Sequence, residues 1–148
     1  MPYRQLRKGR CSESGRAYFI TTVTCERKAY FNNLFCAREL VKCIRNIHDA
    51  GIAQSLCWVI MPDHFHWLIR LNQTPLSTVM NKFKGTSSRR INLKLNRNGR
   101  LWQKSYYDRA IRDNEDIKNV ARYIVANPLR AGLVSDIGKY SQWDAVWL

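Results

Sequence analysis

Two apolar runs separated by Met61-Pro62-Asp63 constrain this chain more than any other feature. Residues 54–60 and 64–71 are too short for independent helices and are rich in Val, Ile, Leu, Trp and Phe, so each predicts a β-strand. A three-residue connection containing proline leaves the two strands one arrangement, an antiparallel hairpin. Successive side chains of a strand point to opposite faces, so His64 and His66 share one face while Phe65, Trp67 and Ile69 enter a core on the other. Two imidazoles side by side on a rigid strand form a natural platform for a divalent metal. Spacing alone equally allows a pair of surface or hydrogen-bonded histidines. The third histidine, His48, lies on a helix face beside Asp49 and reads as ordinary solvated surface.

The rest of the chain supplies what the hairpin packs against. Residues 18–25 are β-branched and aromatic and predict a first strand. Asn32 and Asn33 precede a helical pattern of Leu34, Leu40, Val41, Ile44 and Ile47, which Gly51 ends. Thr74-Pro75 opens a second helix carrying Leu76, Val79, Met80, Phe83 and Ile91. A turn at residues 97–100 leads to a fourth strand over 106–111. Asp113 is the expected N-cap of a last helix, with Asp116 in its first turn, running through Ile117, Val120, Ala121 and Ile124 until Asn127-Pro128 stops it. The order βαββαβα predicts an α+β fold of the ferredoxin-like split βαβ kind. Its four-stranded antiparallel sheet carries helices mainly on one face, plus a C-terminal helix bearing a tyrosine. We expect one domain, 1–148, with a basic N-terminal arm over 1–15.

Charge narrows the partner. Lys and Arg total 25 against 11 acidic residues, a formal net charge of +14, which calls for a polyanion. No basic amphipathic helix supports a membrane-surface role, and no run approaches the roughly 20 apolar residues that span a bilayer. Five cysteines without a C-x-x-C pair suggest neither a zinc ribbon nor a disulfide framework, and fit reduced thiols in the cytoplasm. Lys82, Lys84, Arg89 and Arg90 cluster on the second helix, followed by Arg97, Arg100 and Lys104. Singly each would only solvate a surface; together they form a candidate DNA-backbone patch.

Tyr123 and Asn127 lie four residues apart, which on one helix places them on the same face. Tyr123 could equally be an amphipathic helix residue, and Asn127 a helix-ending one. Tyr106, Tyr107 and Tyr140 are rival nucleophiles; Tyr106 and Tyr107 fall in the predicted fourth strand, so neither shares a helix face with a polar partner.

Taken together, the His64-Phe65-His66 motif and Tyr123-Ile124-Val125-Ala126-Asn127-Pro128 resemble the single-tyrosine HUH transposases. The closer match is the branch of REP-associated tyrosine transposases. Tyr18-Phe19-Ile20-Thr21, Phe83-Lys84-Gly85-Thr86, Leu101-Trp102-Gln103 and the segment from Tyr140 through Trp143 to Leu148 are similar to that branch in the same order. The resemblance implies that His64, His66 and Asn127 hold one Mg²⁺ or Mn²⁺. Relatives commonly carry Gln at the position of Asn127 and often Asn at that of Asp63. It implies that Tyr123 attacks a phosphodiester of single-stranded DNA, leaving a 5′-phosphotyrosine and a free 3′-hydroxyl, with no nucleotide cofactor. A phenol is only about one part in a thousand ionised at neutral pH, so such an attack needs help at the phosphate. The implied partner is hairpin DNA from repetitive palindromic elements, met at the nucleoid by a monomer or homodimer. Arg4, Arg7, Lys8 and Arg10 would contact the hairpin; Tyr3 and Trp102 could stack unpaired bases, though core packing or solvent contact is the better reading of each. Two alternatives remain at this point: a non-cleaving DNA-binding regulator, and a His-metal phosphodiesterase acting on RNA.

Overall fold

The computed structural model describes residues 12–112, 116–136 and 140–145. Its elements run β1 (Ala17–Val23), α1 (Leu34–Asp49), β2 (Ala53–Ile60), β3 (His64–Leu71), α2 (Leu76–Leu95), β4 (Tyr107–Ala110), α3 (Ile117–Val125), α4 (Asn127–Arg130) and β5 (Trp143–Ala145). The four expected strands are antiparallel in the order β4-β1-β3-β2, the ferredoxin-like arrangement, and β5 extends the sheet beyond β2. No helix among the described residues is long and apolar enough to cross a membrane.

Local chemistry explains the element ends. The Asn33 side chain accepts a hydrogen bond from Phe35 N at 2.9 Å and starts α1. After α1 the chain turns through Gly51 at φ +71°, a conformation that favours glycine. The last helix is capped one turn later than the sequence suggests. The Asp116 side chain accepts from Lys118 N and Asn119 N, so Asp116 is the cap, and Asp113 lies outside the described residues. The basic residues Arg4, Arg7, Lys8 and Arg10 also lie outside them, as do Tyr3, Cys11 and residues 146–148.

β3 is covered on both sides. Phe65, Trp67, Ile69 and Leu71 face α1 and α2, where Phe65 and Trp67 pack on Phe83 with ring centroids 5.0 and 5.2 Å apart. The two indoles of this core reach polar partners: Trp67 Nε1 donates to Ser55 Oγ and Trp102 Nε1 to Ser87 Oγ, each at 2.9 Å. Leu68 faces the other way, into a smaller cluster with Leu56, Cys57, Val59 and Met61, against which Ala121 and Ile124 of α3 pack. The sheet therefore separates a two-helix layer from the tyrosine-bearing helix.

β5 escapes prediction because it is only three residues long. It pairs Val59 with Trp143 and Cys57 with Ala145. Just before it, Tyr140 donates its phenol hydrogen to Ile60 O at 2.5 Å, and Ile60 N donates to Gln142 O at 2.9 Å. The described cysteines, Cys25, Cys36, Cys43 and Cys57, are free thiols. Burial pushes the Cys43 thiol up to about 11 and the Cys57 thiol up to about 12, so neither is a nucleophile.

Truncating Phe83 to Ala should destabilise the fold by about 3–5 kcal/mol, because the lost ring leaves a cavity among three aromatic neighbours. Urea denaturation followed by tryptophan fluorescence measures it. A loss below about 1 kcal/mol would mean that this cluster does not anchor the two layers.

Candidate active site

The histidine pair is built from β3 outward. His64 and His66 alternate with the buried Phe65 and Trp67, and their ring centroids lie 4.8 Å apart. Antiparallel pairing sets Thr21 of β1 opposite His66. Thr21 Oγ1 and His66 Nδ1 are hydrogen-bonded at 2.8 Å, and Phe19 stacks on the His66 ring at 5.5 Å. His64 Nδ1 donates to Asp63 Oδ1 at 2.7 Å, and Arg27 Nη1 donates to Asp63 Oδ2 at 3.1 Å. Arg27 reaches that carboxylate from a tight turn in which Glu26 and Arg27 both have positive φ, 58° and 53°. Such backbone is strained for residues with a Cβ, at a cost of order 1–3 kcal/mol each. Asp63 is therefore more than a turn cap: it orients His64.

Electrostatics favour ligation. Burial, then the charges of His64 and Arg130, push the His66 imidazole down from 6.5 to about 3, so it is neutral at physiological pH. Burial alone would raise the Asp63 carboxyl, but hydrogen bonds and positive charge from His64 and Arg27 bring it below its ordinary value. With each Nδ1 tied to a neighbour, both Nε2 atoms remain for a metal, and ligation of His66 selects the tautomer in which Nδ1–H donates to Thr21. Among the described residues no group of three or more His, Cys, Asp and Glu gathers. The pair thus fits an ion that takes its remaining ligands from neutral oxygens.

The structure modifies the expected relation of Tyr123 to Asn127. Tyr123 belongs to α3, which ends at Val125; Ala126 (φ −78°, ψ 0°) breaks the helix, and Asn127 opens the short α4. Pro128 follows at its second position, buried, where its missing N–H costs little. Tyr123 is 63% exposed, whereas Tyr106 is buried and the Tyr140 phenol is bonded to Ile60 O. The guanidinium of Arg130, from α4, lies over the Tyr123 ring at 3.8 Å from its centroid.

The basic residues divide by helix face. Lys84, Arg100 and Lys104 line one open groove with Asn81, Ser88 and Gln103. Lys84 Nζ also donates to Gln103 O at 2.7 Å. Arg90 is drawn to the other side of α2, where its Nη1 lies 3.6 Å from the buried Glu39 carboxylate. Lys82 and Arg89 are exposed and do not line the groove. His48 keeps a structural role, accepting a hydrogen bond from Ser55 N at 3.0 Å. Thr21, Arg27 and Arg130 carry no sequence signal of their own, since pairing register, an unusual turn and a helix break bring them to the site.

Comparison with known proteins settles the family. A family model described as IS200-like transposase matches residues 13–127. The chain belongs to that family. Its relatives fall in the REP-associated tyrosine branch, as the resemblance implies. One, from Escherichia coli K12, is 27% identical over 88 residues, 58% of this chain and 48% of that protein. The chain thus aligns with about half of that relative's length. Another, a Haemophilus influenzae protein assigned to the same branch, is 26% identical over 132 residues, 81% of this chain and 74% of that one. The fold of a REP-associated tyrosine transposase solved with a REP hairpin superposes with a TM-score of 0.75 at 21% identity, covering 90% of this chain and 79% of that one. A Deinococcus radiodurans protein assigned as a transposase gives a TM-score of 0.57 at 22% identity, covering 78% and 93%.

Two outcomes follow for this IS200-like site. Replacing Thr21 with Val should shift and broaden the His66 imidazole NMR resonances, because the ring loses the hydrogen bond that orients it; unchanged resonances would mean that Thr21 does not hold it. In metal-free protein the unfolded His66 takes up a proton below its ordinary 6.5 while the folded one resists until about 3. Stability contributed by the neutral ring is therefore full above the higher value and lost as pH falls between the two. Thermal melts from about pH 7 to about pH 4 should show a smaller acid-induced drop in His66→Gln than in wild type.

Proposed function

We propose that this protein is a metal-dependent single-stranded DNA endonuclease and strand transferase that binds hairpin-forming DNA and cuts it through Tyr123. One arrangement carries the reading. The helix bearing an exposed phenol docks on the sheet face that displays the imidazole pair, and the cation lying over that phenol also acts electrostatically on His66.

The Tyr123 oxygen would attack phosphorus, forming an O–P bond as the bond from phosphorus to the 3′-oxygen breaks. The phenol proton passes to water, and the departing 3′-oxygen takes one up to become a hydroxyl. A phosphotyrosine retains the phosphodiester character of the bond it replaced, so a later 3′-hydroxyl can reverse the exchange without a nucleotide cofactor. His64, His66 and Asn127 would hold Mg²⁺ or Mn²⁺, whose positive charge would offset the charge building on the phosphate. Thr21 and Asp63 keep the two imidazoles oriented.

Two findings support a DNA hairpin as substrate: the net charge of +14, and a relative whose solved structure is described as bound to a REP hairpin. Lys84, Arg100 and Lys104 would contact the backbone along their shared groove, and Arg4, Arg7, Lys8 and Arg10 would extend the contact. Because α3 packs on its own sheet through Ala121 and Ile124, one subunit would suffice for cutting.

A radiolabelled hairpin with a single-stranded flank tests the reading. With Mg²⁺ or Mn²⁺ the wild-type protein should form a covalent adduct that survives denaturing electrophoresis. EDTA should abolish it, and Tyr123→Phe should form none. Cutting by Tyr123→Phe would refute the covalent route. Tight hairpin binding without cutting at any metal concentration would leave a DNA-binding regulator, and preferential cutting of RNA would leave a phosphodiesterase.

A further inference from the structure

We propose that Arg130 is the positioning residue for Tyr123, holding the phenol ring in its attacking orientation beside the histidine pair. The proposal rests on the cleavage reading above and deepens it. Tyr123 is 63% exposed on α3, so burial does not fix its ring, and a side chain so placed samples several rotamers. The guanidinium of Arg130 lies 3.8 Å from the ring centroid, which is stacking distance for a planar cation on an aromatic face.

The backbone explains how Arg130 comes to be there. Had α3 run on unbroken, a residue seven places beyond Tyr123 would project from the helix surface two turns away. The helix is interrupted at Ala126, and the bond from Arg130 N to Ala126 O at 3.0 Å closes the first turn of α4, so this short turn rather than α3 sets where Arg130 projects. Pro128 is buried and anchors that turn. The candidate ligand Asn127 and the positioning Arg130 thus come from one four-residue helix, and a single rigid turn would set both.

A stacked arginine differs from a lysine at the same place. Guanidinium is planar and weakly hydrated, so it lies flat on a ring; an ammonium group is a strongly hydrated point charge on a flexible stem. Positioning therefore predicts a larger loss than removal of charge alone explains.

Two measurements on the full chain test this. In metal-free protein, aromatic NMR resonances of Tyr123, assigned by their absence in Tyr123→Phe, should shift in Arg130→Gln. They should stay in place in Arg122→Gln, which removes an equal charge from α3 itself. In single-turnover cleavage of the labelled hairpin, Arg130→Gln should lower the rate at saturating DNA by about 100-fold, the scale of a misplaced reacting group. The DNA concentration giving half that rate, and the melting temperature, should stay near wild type. Arg130→Lys should recover only a minor part of the rate. Unmoved Tyr123 resonances overturn the proposal whatever the cleavage shows. Moved resonances with a wild-type rate also overturn it, because the contact would then have no role. Were the wild-type protein itself to leave the DNA uncut, the cleavage reading would fail, while the resonances alone would still decide whether Arg130 holds the ring.

Discussion

β3 is packed against on both faces, fully buried on one and partly on the other, and its two-residue alternation assigns work to every other element. Phe65 and Trp67 commit one face to the aromatic core under α1 and α2. His64, His66 and Leu68 are thereby committed to the face where α3 docks. A slip of one residue would carry imidazoles into the aromatic core and bury ionisable groups without partners, at a cost of several kcal/mol. The apolar side of the strand thus holds the chemical side in register. Rigidity of the histidine pair is inherited from Phe83 and its neighbours in the buried aromatic core.

The same register supplies the orienting partners. Thr21 meets His66 because β1 pairs antiparallel to β3 with those two residues opposed. Asp63 meets His64 as its chain neighbour, and the positive-φ turn at Glu26 and Arg27 places a guanidinium on its far side. Two imidazoles held by different means, one across the sheet and one along the chain, end with the same nitrogen occupied and the same nitrogen available.

Local signals made much of this legible in the sequence. The hairpin, its alternating pattern, the histidine pair and both long helices follow from short-range periodicity and turn residues, whereas Tyr123 stands out only through the resemblance of its segment to a transposase family. What was not legible depends on long-range geometry. Thr21 is one of three threonines between positions 21 and 24, and only the pairing register distinguishes it. Arg130 is one of many basic residues until the fold lays its guanidinium over the Tyr123 ring. The Asp113 and Asp116 pair shows the ordinary limit on helix ends: either could cap by composition, and the backbone bonds go to Asp116. The charge cluster on α2 is similarly divided, since helical phase sends Lys84 to a groove and Arg90 to Glu39.

The order of elements along the chain bears on how the protein is made. Every strand of the sheet except β5, and both helices of the larger layer, precede Ile117. A nascent chain emerging N-terminus first can therefore close the aromatic core and set the imidazole pair before the helix carrying the phenol has left the ribosome. β5 and the Tyr140 bond to Ile60 come later still, packing onto the small cluster that α3 has just joined. The helix bearing Tyr123 is thus added to a platform whose first four strands and aromatic core precede it in the chain, and the β5 pairing with β2 follows it.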